Sequence, residues 1–86
     1  MPLSLQQKKL VIDVDSRAKS ILTKGGNEEM LLVEMFEFMP GIQDIITSNS
    51  KRELDMLTQE YDGFYVYMKV LEKLAQKIAN GDITVP

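Results

Sequence analysis

With no cysteine and no histidine, this chain has only carboxylates, hydroxyls and amines with which to do chemistry. General acid–base catalysis most often uses histidine, and nucleophilic catalysis often uses cysteine. Glu34 and Glu37, three positions apart, share one side of a helix and could in principle work as a hydrolytic pair. They are also the only polar strip of an otherwise apolar stretch, "MLLVEMFEFM", and a solvated edge explains them. A di-iron site in a bundle needs Glu-x-x-His pairs, which no residue here completes. The composition leaves an oxygen-only Ca²⁺ or Mg²⁺ site open, yet no 12-residue calcium loop is present. Ser48, Ser50 and Lys51 suggest a Ser–Lys pair, but Ser50 fits better as a helix cap. "KGGNEE" (24–29) looks like a phosphate cradle until Glu28 and Glu29 are counted, because they occupy the positive helix end and repel an anion. The expectation is a protein that is not an enzyme and holds no metal or cofactor.

Charge narrows the partners. The net charge is −3 and is unevenly placed, with five cations against two aspartates in residues 1–24 and Lys51 and Arg52 against nine acids in residues 25–62. That acidic balance disfavours nucleic acid. Lys8, Lys9, Arg17, Lys19 and Lys24 could touch phosphates, but Asp13 and Asp15 interleave with them and no aromatic residue in that helix offers a stacking platform. The basic start and the acidic middle could fold on each other, pair head to tail between two copies, or simply be solvated faces. No run reaches the roughly 18–20 apolar residues of a membrane span, and "MPLSLQQKK" lacks the order of a secretory signal. The lack of cysteine fits a cytoplasmic protein. With 86 residues, one domain spanning 1–86 is expected, with a modest stability margin that self-association or docking would support.

The elements that position these residues follow from periodicity. Ser4 and Gln7 form a capping box, and Leu10, Val11, Val14, Ala18, Ile21 and Leu22 then recur at helical spacing as far as the glycines at 25–26. Helix one is therefore expected over 5–24. Asn27 caps a second helix over 28–38, which is apolar nearly all round, a pattern usually buried on two or three sides. Pro40 should end it, because the residue before a proline is pushed out of the helical region. Ile42, Ile45 and Ile46 suggest a short helical segment, although their β-branching leaves a strand open. Ser50 with Glu53 is a second capping box, opening a helix with Leu54, Leu57 and Tyr61 on one face. Asp62-Gly63 either caps a final helix over 63–80 or sits inside one long helix, and the capping reading satisfies more local rules. An extended tail, "DITVP", should follow. The fold class is all-α: a compact antiparallel bundle of four main helices, one short helical segment and that tail.

Four of the six aromatic residues fall between Tyr61 and Met68. At 100° per residue, Phe64, Met68, Leu71, Ala75 and Ile78 lie within about 40° of one line, the expected core stripe. Tyr61 and Tyr67 are expected at its boundary. Tyr65 falls outside the stripe and Val66 nearly opposite the core, so Tyr65, Val66 and Tyr67 are candidate partner-binding residues. Helix two adds Met35, Phe38 and Met39, whose flexible side chains suit a groove floor for a partner helix. The function expected is a non-enzymatic cytoplasmic protein–protein interaction module acting through apolar helix faces, with a homodimer as one form. The alternative is a small-molecule-binding regulator with a pocket between helix two and the last helix. The facing of the last helix is testable by urea unfolding. Leu71→Ala should cost about 2–5 kcal/mol, whereas Tyr65→Ala should cost little, and equal losses would show that the helix faces otherwise.

Overall fold

Five α-helices and one 3₁₀ turn account for most of residues 3–82, the part of the chain that the computed structural model describes. The helices are α1 (Leu5–Thr23), α2 (Glu28–Glu34), α3 (Met39–Ser48), α4 (Lys51–Glu60) and α5 (Asp62–Ala79), with the 3₁₀ turn at Phe36–Phe38 between α2 and α3. The fold is all-α, and the described residues contain no strand. The expected tail, 82–86, lies outside those residues except for Asp82.

Local chemistry sets most boundaries. The Gln7 N–H donates to Ser4 Oγ at 3.1 Å and the Ser4 N–H to Gln7 Oε1 at 3.2 Å, a complete capping box. Asn27 Oδ1 accepts from the Met30 N–H at 3.0 Å, and Ser50 Oγ from the Glu53 N–H at 3.2 Å. α1 closes where Gly25 takes φ +86° and the Gly26 N–H reaches back to the Ile21 carbonyl. α5 closes in the same way, with Gly81 at φ +78° and the Asp82 N–H on the Lys77 carbonyl. In both, a left-handed glycine lets the chain turn back on the last orphan carbonyls.

Helix two departs from expectation. It stops at Glu34, because Met35 leaves the helical region (φ −111°, ψ 18°) and a 3₁₀ turn follows. Pro40 does not end a helix. It sits in the first turn of α3, where its missing N–H leaves nothing unpaired. The isoleucine segment is accordingly a helix of 10 residues, as long as α4, and the short element is α2 with 7.

α5 is the element on which the others rest. It packs most extensively on α1, and also on α4 and α2. Phe64, Tyr67, Met68, Val70 and Leu71 are buried from it, in one core with Val11, Val14, Ala18 and Ile21 of α1, Leu31 of α2 and Met35 at its end, and Ile42 and Ile45 of α3. The buried arc is therefore turned toward Tyr67 and Val70 relative to the expected stripe, and Ala75 and Ile78 are exposed. The Glu28–Lys73 ion pair (2.9 Å) and a Tyr67–Met35 hydrogen bond (2.7 Å) set α2 antiparallel to α5.

The N-terminus of α5 has no cap of its own. Asp62 is its first residue rather than its cap, and Tyr61 at the cap position offers no side-chain bond. Asp15 of α1 supplies the acceptor instead: the Gly63 N–H donates to its Oδ1 at 2.7 Å, and Lys19 Nζ holds Oδ2 at 3.0 Å. Only glycine fits at 63, since a Cβ there would collide with the Asp15 backbone carbonyl. Removing the acceptor by Asp15→Ala should cost about 1.5–3 kcal/mol, the range for a hydrogen bond to a charged group. Asp15→Asn, which keeps an acceptor oxygen, should lose less. Chemical denaturation checks both, and an Asn variant as weak as the Ala variant would show that the charge matters more than the bond.

Candidate interaction surface

Of the residues singled out in the sequence, the structure buries two. Tyr67 and Met35 are fully enclosed and belong to the core, not to a groove floor. The reason is a bond between them: the Tyr67 hydroxyl donates to the Met35 carbonyl, which also accepts the Phe38 N–H at 3.0 Å. This satisfies the carbonyl at the end of α2 from inside the protein, so the tyrosine is buried with its polar tip paired. Burial pushes the phenol up to about 12. The Tyr61 phenol is also raised, by burial first and then by the Glu60 charge.

The other four remain wholly or partly accessible. Tyr65 is 44% exposed, and the Lys69 ammonium lies 5.6 Å from its ring centre, a surface cation–π contact. Val66 is half-buried and packs on the core rather than pointing away from it. Phe38 and Met39 are also half-buried against the core. Phe38 forms one end of a shallow groove of about 360 Å³ along α1, lined by Asp13, Ser16, Arg17 and Ser20. A neighbouring groove of about 280 Å³ carries on past Arg17 and Ser20 to Lys24, Met30 and Glu34.

What sequence reasoning missed is the side of α2 left uncovered. Met30, Val33 and Phe36 are 43%, 71% and 67% exposed. They follow one another in i,i+3 steps, the last step passing onto the 3₁₀ turn. Glu29, Glu34 and Glu37 are exposed beside them. The all-round apolar character of this stretch was the available signal, but it did not say which side the rest of the chain would cover. Leu31 and Met35 turned inward, so Met30 and Val33 turned out.

Other concavities are less suited to a ligand. The space between α2 and α5, lined by Glu28, Leu32, Val70, Lys73, Leu74 and Lys77, is about 60 Å³, well below the ~300 Å³ of a usual small-molecule site. A larger open groove of about 370 Å³ lies between the start of α1 and α4, with Leu3, Met56, Leu57 and Tyr61 as its apolar lining and Lys8, Glu53 and Glu60 beside them. Among the described residues no cluster of acidic groups is placed to hold a metal ion, and no helix is long and apolar enough to cross a membrane. Compared with protein-family models, with curated proteins and with solved structures, the chain matches none.

The buried phenol makes alkaline stability a probe of this core. The folded state keeps its proton up to about pH 12, whereas an unfolded tyrosine loses it near pH 10. Its contribution is thus fully present below pH ~10 and is lost as pH rises toward 12. Tyr67→Phe should cost about 0.5–1.5 kcal/mol at neutral pH and flatten that alkaline loss in thermal melts. Identical alkaline slopes for the two proteins would place the titrating group elsewhere.

Proposed function

We propose that this chain is a non-enzymatic interaction module that docks through the outward face of α2 and the 3₁₀ turn after it. The observation that carries the reading is the row of Met30, Val33 and Phe36, three large apolar side chains held out to solvent on adjacent turns. Scattered exposed apolar residues are ordinary, but a contiguous row rimmed by charge is the pattern of a docking surface. Helix-in-groove and helix-on-helix recognition use anchors at this i,i+3 spacing.

The chemistry around the row agrees. Glu34 and Glu37 are both exposed, which suits a polar rim better than a pair of catalytic carboxylates sharing a cleft. Met30 brings the adaptability of methionine to the contact. The α2–α5 cavity is too small for the alternative of a ligand-binding regulator at that place.

The test is a Val33→Ser, Phe36→Ser double variant in affinity capture from native extract. Both side chains are mostly exposed, so the melting temperature should stay close to that of the unsubstituted chain. Proteins recovered with the unsubstituted chain should be lost from the variant. Undiminished recovery by a folded variant would remove this face from consideration.

A further inference from the structure

This inference rests on the docking reading above and names the partner. The outward face of α1 is the chemical complement of the outward face of α2. At 100° per residue, Leu5, Lys8, Lys9, Ile12 and Lys19 lie within about 60° of one line along α1. Leu5 is 73% exposed and Ile12 41%, and Lys8 and Lys9 have no carboxylate partner among the described residues. On α2 and its 3₁₀ turn the same arrangement recurs with the opposite sign. Met30, Val33 and Phe36 are the apolar anchors, and Glu29, Glu34 and Glu37 have no cationic partner among the described residues.

The spans match as well. Leu5 to Ile12 covers about 10 Å of helix axis, and Met30 to Phe36 is of similar length, at about 1.5 Å per residue to Glu34 and about 2 Å on the 3₁₀ turn beyond. Both faces point to solvent, so neither meets the other within one molecule. We propose that copies of this chain associate head to tail, the basic, apolar face of α1 in one copy seated on the acidic, apolar face of α2 in the next. A contact between two different patches leaves one of each free, so the assembly closes into a ring or continues as a chain. With one helix face per copy, it belongs to the small, reversible class below about 1,200 Å².

Sedimentation of the purified chain, from micromolar to about 1 mM, reads the association directly. Two double variants decide its geometry: Lys9→Glu with Ile12→Ser on the α1 face, and Val33→Ser with Phe36→Ser on the α2 face. Each variant alone should associate about tenfold more weakly or worse, the scale for truncated interface anchors. Their equimolar mixture should form dimers and stop there, because one intact face of each kind remains. Added salt should weaken the association of the unsubstituted chain, as screening of unlike charges requires. If melting shows that Ile12→Ser unsettles α1, Leu5→Ser replaces it at the more exposed position.

An unsubstituted chain that stays monomeric throughout overturns the proposal. So does either variant alone associating as tightly as the unsubstituted chain, since a contact of like faces, α2 on α2 or α1 on α1, would then carry the assembly. A monomeric chain that nevertheless captures another protein through Val33 and Phe36 overturns self-association alone and leaves the docking reading standing.

Discussion

The structure depends on one buried carboxylate. Asp15 is the single buried charged side chain among the described residues, and it sits where α1 meets the first turn of α5. A helix start presents orphan N–H groups and a positive dipole end, and both favour a carboxylate. A buried charge is costly unless paired and hydrogen-bonded. Asp15 meets that condition by taking the Gly63 N–H on one oxygen and the Lys19 ammonium on the other. The bond is short because residue 63 has no side chain, so the α1 backbone comes against the helix start. The close approach fixes where α5 begins, and α2 and α4 pack onto a helix already placed.

A second contact of the same kind works at the opposite helix polarity. Tyr67 reaches from α5 to the carbonyl where α2 leaves its helical path. Together with the Glu28–Lys73 pair it holds the short α2 at both ends. The helix lies with Leu31 and Met35 down and Met30 and Val33 up. A segment apolar on nearly every side is thereby covered on one side only. That mismatch between composition and covering supports the docking reading, since a further surface would satisfy what the monomer leaves in water.

The helical content was legible in the sequence because it rests on local rules. Ser4 with Gln7, Asn27, Ser50, and the glycines at 25 and 81 mark helix ends through bonds to residues within one turn, and each acts as its type suggests. The burial of Phe64, Met68 and Leu71 was also legible from their spacing. Local rules failed where a distant residue took over a local role. Asp62 was the reasonable cap for α5, yet Asp15, 48 positions before Gly63, fills that place. Tyr67 read as a boundary residue, whereas it is buried with its hydroxyl donating to a carbonyl 32 positions away.

The candidate surface shows the same division. Sequence alone determined that the chain is helical with capped starts at Ser4, Asn27 and Ser50, that it lacks thiolate and imidazole chemistry, and that the second helix carries more apolar surface than one neighbour can cover. Tertiary structure alone decided which side of that helix stays in water. Periodicity ranks faces by hydrophobicity, and a helix apolar all round gives no ranking. The choice fell to contacts between residues tens of positions apart, the α2–α5 ties at 28–73 and 35–67. Those contacts depend on how whole helices approach one another, which no stretch of local sequence contains.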